Sequence, residues 1–417
     1  ACYARYFETE QGHSLETGLK IAQMYSRLAR YTEAESVYVT LESEFGGNQA
    51  EIFNGLGLVS LLRGDTAKAL DFLKTAVMVD SNYYDAMRVI AQVAIQRNDF
   101  EEAIRYHEKL YHSEDLLNEA YGRTLALLYY YNKQFAQAEA LLKALIAEDI
   151  EDYGVHFYLG LVFSAQENED LAEMEFEKSV TLEPGFADGW QHLCYLELRR
   201  KKPDKALEFA KRFVKRVPES SSSWRTLGYV HSSRSDFAQA ITALQKAVGL
   251  DSIDAMAWFD LGAAYERTGE YGRAASSFRT VLKLSPDDHT AANYLGYMWA
   301  EQGIHLDSAK ALLEFALERD PDNGAYLDSY AWIFYKKKNL KEAREQIDRA
   351  IAVIDNDPVI FEHLGDILTA LGDPGGAIEA YRKSIALDSE HKDKLEDTIQ
   401  RLEEKMRIPV SQELKPQ

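Results

Sequence analysis

Three groupings in this chain have residue types that could do chemistry. His107 and Glu108 precede His112, and imidazoles with a carboxylate are what a helical zinc hydrolase site uses. Such a site needs histidines four apart on one helix face, whereas these are five apart and point to different faces. Cys194 could serve as a nucleophile, but it sits where small packed residues recur, which predicts a buried thiol. Asp320, Asp322 and Asn323 carry oxygens suited to calcium. The glutamate and spacing of an EF-hand loop are missing, so these residues predict turn and helix-capping chemistry. No glycine loop for phosphate is present. The expectation is a chain that is not an enzyme and takes no cofactor and no metal. Cys2 is the other cysteine of the two, too few for a disulfide framework.

The elements that carry these residues follow from a repeat. Alanine recurs eleven times from Ala34 to Ala377, at steps of 34 or 35 residues. Twelve residues earlier, or thirteen in one case, stands a second small residue. That slot runs from Ala22 to Gly365 and holds six glycines, four alanines and Cys194, each preceded by a large side chain such as Leu56, Leu261 or Tyr330. Two small residues at this spacing let antiparallel helices approach closely while the large neighbour fills the space between them. Glycine within a helix costs roughly 1 kcal/mol relative to alanine, so six at one phase mark a packing constraint. One hairpin cannot bury its apolar face, and the hairpins must therefore stack.

Trp258, Leu261, Gly262, Tyr265, Ala274, Phe278 and Pro286 fill one copy from Ala255 to Asp288. This pattern resembles the tetratricopeptide repeat (TPR) family, whose unit is a 34-residue helix-turn-helix. The resemblance implies an all-α TPR solenoid, a right-handed superhelix of helical hairpins. Copies are expected to begin near Leu15, Ala50, Tyr84, Glu119, Tyr153, Ala187, Ser221, Ala255, His289, Gly324 and Pro358. The expected organisation is an N-terminal segment over 1–14, eleven repeats over 15–391, a capping helix over 392–407 and an extended tail over 408–417. Leu395, Ile399, Leu402 and Met406 form the apolar stripe of that capping helix. Ser220 to Ser223 look like a linker, but the register passes through them, and they read as helix N-caps with no domain boundary. Neither flank in this sequence is long enough for a catalytic domain.

A net charge of -21 argues against nucleic acid, which needs clustered Lys and Arg. No apolar run is long enough for a transmembrane helix. One basic patch interrupts the acidity: Arg199, Arg200, Lys201, Lys202, Lys205, Lys211, Arg212, Lys215 and Arg216. It reads as a solvated turn and helix face, with anionic headgroups or an acidic partner as the functional alternative.

In the family, first helices line a concave groove that holds protein partners. By that analogy, residues just after the small slot form a first inward row that includes Leu58, Leu161, Tyr195, Tyr229, Tyr297 and Trp332. Residues three before the slot form a second row that includes Arg88, Arg123, Phe157, Arg225 and Phe259. Tyr131 and Tyr335 lie further along the same helices. Tyrosine and tryptophan are favoured interface anchors, and the arginines could meet a partner's carboxylates or carbonyls. A groove this apolar suits an extended peptide or a partner helix. The family's chaperone-tail clamps use lysine and asparagine at these positions. Here Asn54 and Asn293 stand where the clamp wants lysine, and tyrosines and leucines stand where it wants asparagine, which speaks against a heat-shock co-chaperone.

Ala1-Cys2 resembles the end of a bacterial lipoprotein signal, which implies lipidation of Cys2 and membrane anchoring. Asn293 to Tyr297 and Pro321 to Trp332 resemble a block found in bacterial envelope lipoproteins with long TPR arrays. Some of these are similar to the adaptor of a periplasmic C-terminal-processing protease, and others serve export or assembly of envelope polymers. The expectation is a membrane-anchored scaffold on the periplasmic side of the bacterial envelope, with a cytoplasmic TPR adaptor as the alternative.

Overall fold

The computed structural model describes residues 14–113, 118–148 and 152–407. Within them lie 23 helices and no strand. The helices pair as eleven hairpins, from Leu15–Arg27 with Tyr31–Phe45 to Pro358–Leu371 with Pro374–Ala386, and Lys392–Arg407 follows. First helices begin at Leu15, Ala50, Tyr84, Asn118, Tyr153, Ala187, Ser221, Ala255, His289, Gly324 and Pro358. The chain forms two compact units, Ala1–Leu193 and Cys194–Gln417, divided inside the helix Ala187–Arg199 where the sequence register shows no break. Contacts along a repeat stack are local, so such units need no linker between them.

Each hairpin turns through a left-handed residue just after its first helix: Ala29, Gly64, Asn98, Lys133, Glu167, Lys201, Ser235, Gly269, Gly303, Lys338 and Gly372, with His305 a second one in the ninth turn. Only four are glycine, so the other seven turns accept a steric cost of about 1 kcal/mol each. The hydrogen bonds of the turn offset it. At the third hairpin the Asn98 N–H donates to Ile95 and the Asp99 N–H to Ala94, which closes the first helix. Asp99 then accepts the Glu102 N–H at 3.1 Å and opens the second helix. A single aspartate thus ends one helix and starts the next.

Close approach at the small slot is steric. A Cβ on Gly160 would lie 2.6 Å from the Phe176 ring, and one on Gly365 would lie 2.3 Å from Tyr381. Between hairpins a tryptophan ties the turn, because Trp190, Trp224 and Trp258 donate their indole N–H groups to the carbonyls of Pro184, Pro218 and Ser252 at 2.7–3.0 Å. Ser220 stands at the N-cap of Ser221–Ser233, but no serine side chain caps that helix. Ser223 instead donates to the carbonyls of Val217 and Ser220, and Ser221 donates to Asp254. These hydroxyls lock the turn and reach the next repeat. In the helix Lys392–Arg407, Leu395, Ile399 and Leu402 are buried against Leu368, Ile378 and Tyr381. Met406 is 57% exposed, in the last turn of a 16-residue helix that covers one of 13 residues. Cys2 and the tail 408–417 lie outside the described residues.

Candidate protein-binding surface

Several of the residues that could have done chemistry have structural roles. His107 is buried and bonds the Ala103 carbonyl through Nδ1 at 3.0 Å, while His112 ends its helix exposed. Cys194 is 1% exposed, packs its Sγ 3.5 Å from the Ala206 carbonyl, and has its thiol pushed up to about 12 by burial. Such a thiol is inert. Asn323 caps the helix that begins at Gly324, accepting the Tyr326 N–H at 3.2 Å and donating to Asp320 at 2.9 Å.

Consecutive first helices touch within each unit, for instance Ser221–Ser233 against Ala255–Arg267 and Gly324–Lys336 against Pro358–Leu371. A rule of contact follows from the pitch. At five junctions, each inside one unit, the residue two before the small slot meets the residue three before the slot of the preceding repeat. Tyr158 and Arg123 line one recess. His192 lies edge-on to Phe157 at 5.0 Å, and Tyr294 to Phe259 at 5.0 Å. Asp260 faces Arg225. His363 Nδ1 bonds Asp328 at 2.8 Å. At these junctions the second row is a seam between repeats, and its arginines Arg88, Arg123 and Arg225 border recesses.

In the first unit, Leu58 is 39% exposed. Arg88 pairs with Asp85 and lines a 580 Å³ recess with Leu61, Gln92 and Gln96. Arg123 pairs with Asp152, whose carboxylate also caps the helix Tyr153–Ala165. The same arginine lines a 490 Å³ recess walled by Leu127, Tyr153, Phe157, Tyr158 and Phe186. Phe157 is nearly buried beneath it, Leu161 is half-buried, and Tyr131 is exposed with its ring stacked 5.7 Å from Phe100.

In the second unit the predicted aromatic row divides. Tyr195 and Tyr229 are 57% and 44% exposed and stand free on consecutive first helices. Tyr297 is half-buried, and Trp332 is only 5% exposed. Trp332 does not stand in an open row, because the His363 ring stacks on it at 4.0 Å and the Tyr335 ring at 4.6 Å. Arg225 lies 3.8 Å from Asp254 and lines a 320 Å³ recess with Phe259. Each of the three predicted arginines thus borders its own recess. In the basic patch, Arg200 and Lys205 converge on the fully buried Glu197 at 3.0 and 3.7 Å.

His363 and Asp260 escaped the two predicted rows. Burial opposes charge on His363, but Asp328 beside it, with Glu301 and Asp366, outweighs burial and raises its pKa. A raised folded value means that the charged form contributes stability below about pH 6.5 and loses it as pH rises through the folded value. Thermal melts between pH 6 and 9 should show a Tm that falls with pH, and His363→Gln should flatten the decline. An equal slope in the variant would assign the loss to other groups.

A family model described as tetratricopeptide repeat matches residues 123–187, 192–254, 225–289, 259–309 and 305–359, and a second of the same description matches 360–391. A TPR repeat-containing protein of Pseudomonas aeruginosa is 33% identical over 88 residues, which is 21% of this chain and 15% of that one. Another, from Methanocaldococcus jannaschii, is 44% identical over 54 residues, 13% of this chain and 9% of that one. The chain therefore spans a small part of the length of the curated relatives it matches. Among solved structures, the APC/C hetero-tetramer Cut9-Hcn1 matches with a TM-score of 0.49 at 15% identity, over 95% of this chain and 91% of that one. A tetratricopeptide repeat protein from Parabacteroides merdae matches with a TM-score of 0.48 at 12% identity, over 60% and 98%.

Proposed function

We propose, since this chain belongs to the tetratricopeptide repeat family, that it is a non-catalytic scaffold whose first-helix face holds a protein partner. The observation that carries this reading is the pair Tyr195 and Tyr229, large amphipathic rings left open in register on adjacent first helices. An exposed tyrosine can bury its ring against a partner at low entropic cost while its hydroxyl keeps a polar contact. A recess beside Arg225 adds depth on the helix that carries Tyr229, and within the first unit recesses beside Arg88 and Arg123 open on first helices of their own.

The finer reading is a bacterial envelope lipoprotein, anchored through Cys2, that recruits a periplasmic protease or assembly machinery. What supports it is the Ala1-Cys2 pair and the block from Pro321 to Trp332. No described helix is long and apolar enough to cross a membrane, so anchoring would fall to the lipid. Expressing the gene with its own upstream sequence in cells fed a clickable palmitate analogue tests this. The protein should carry the label and sediment with membranes, and Cys2→Ser should lose both. An unlabelled wild-type protein in the soluble fraction would favour the cytoplasmic adaptor instead. Co-purification with mass spectrometry from the same cells identifies the partner.

A further inference from the structure

The 320 Å³ recess of the second unit is lined by Arg225, Met256, Phe259, Asp260, Ser285 and Asp288, among others. Two of its charged groups have structural employment. Arg225 leans at 3.8 Å on Asp254, a residue outside the lining that caps Ala257 and accepts the Ser221 hydroxyl. Asp288 caps Ala291 at 2.8 Å. Asp260 has no such work. It lies mid-helix in Ala255–Arg267, forms no hydrogen bond or ion pair with any described residue, and faces the cavity. The Arg225 Nε is likewise buried with no hydrogen-bond partner. Asp260 is half-buried, and a carboxylate with no protein donor keeps open acceptor sites that an entering group can meet. Two lining carboxylates, Asp260 and Asp288, beside one guanidinium that already leans on Asp254 leave the recess with an excess of negative charge, in a chain that is itself strongly acidic.

Phe259 supplies an aromatic wall, and an aromatic ring beside a carboxylate suits a cation with an apolar stem. We propose that this recess seats a cationic side chain, arginine or lysine, of the partner segment, with Asp260 as its counter-charge. The proposal rests on the scaffold reading and names the chemistry of what the scaffold holds.

The surrounding carboxyls agree. Burial pushes the Asp260 carboxyl up to about 6 against the pull of Arg225, and burial also raises Glu266 and Asp366. All three lie on first helices of the second unit. On second helices, Glu35, Glu139 and Glu314 are instead lowered by Lys68, Lys143 and Lys310. Lysine partners outweigh burial at these second-helix carboxylates, whereas at the raised first-helix ones burial outweighs the pull of Arg225 on Asp260, of Arg267 on Glu266 and of the Tyr381 hydroxyl on Asp366.

Met256 is 55% exposed at the recess, so its ¹³C-methyl signal, assigned with Met256→Leu, reports occupancy in the full chain. Titration with N-acetyl-arginine methylamide should move that signal saturably. N-acetyl-citrulline methylamide, its neutral isostere, should bind at least about fivefold more weakly. Asp260→Asn removes a half-buried charge that has no protein donor, so it should fold with an unchanged or higher Tm and abolish the arginine response. An unmoved Met256 signal, an equal response to citrulline, or full arginine binding by Asp260→Asn would overturn the proposal. Tyr195→Ala/Tyr229→Ala should leave the arginine response intact while losing the partner, so failure of the recess and failure of the scaffold reading are separately visible.

Discussion

Phe278→Ala is expected to destabilise the protein by about 3–5 kcal/mol. Its ring is fully buried on the second helix Tyr271–Leu284. It presses on Gly262, where a Cβ would already stand 3.0 Å from it, and packs edge-on to Phe259 at 5.6 Å and near Tyr294 at 5.8 Å. It therefore joins both helices of its own hairpin to the first helix of the next. Truncation leaves a cavity against glycine, which has no side chain to move in, so little collapse can repay the loss. Stability in a stack is a sum of repeat and neighbour terms, and this one ring contributes to both. Urea denaturation followed by far-UV circular dichroism measures the effect. Met78→Ala, at a side chain 83% exposed, should stay within about 0.5 kcal/mol of wild type. A comparable midpoint for the two variants would show that the slot is not where the stack is held.

Tyr195→Ala/Tyr229→Ala is expected to weaken partner binding about a hundredfold or more while leaving helicity unchanged. Truncating a tyrosine anchor at an interface costs roughly 2 kcal/mol, and each 1.4 kcal/mol is tenfold in affinity. The two side chains are largely exposed, so their removal opens no cavity in the fold. Trp332 belonged to the same predicted row, but its alanine variant would empty the stack between Tyr335 and His363. Loss of binding there would report folding as much as contact. Calorimetric titration of the purified partner into wild type and the double variant measures the effect, and equal affinities would remove both tyrosines from the interface.

The repeat was legible because it is a spacing. Small residues at one phase predict where helices cross, and ten of the eleven anticipated repeat starts coincide with the start of a first helix. The eleventh, read at Glu119, begins at Asn118. The left-handed turns were less visible because seven of them use residues such as Lys133 and Glu167 rather than glycine. Hydrogen bonding of the turn, not residue type, selects that conformation. For the surface, register supplied the phase of each side chain but not what the following repeat brings against it. Tyr229 and Trp332 occupy equivalent positions, yet only Trp332 meets an imidazole. The missing signal was the position two before the small slot, which holds His192, Asp260, Tyr294 and His363. Pairing it with the residue three before the preceding slot brings out Asp260 with Arg225 and His363 with Asp328 from sequence alone.

The first-helix face, and not the outer helices, is proposed to hold the partner. A photo-crosslinking amino acid placed at Tyr229 on a first helix, and separately at Met78 on a second helix, tests it in cells. One discrete partner adduct is expected from position 229 and none from position 78. An adduct from position 78 with none from 229 would contradict it.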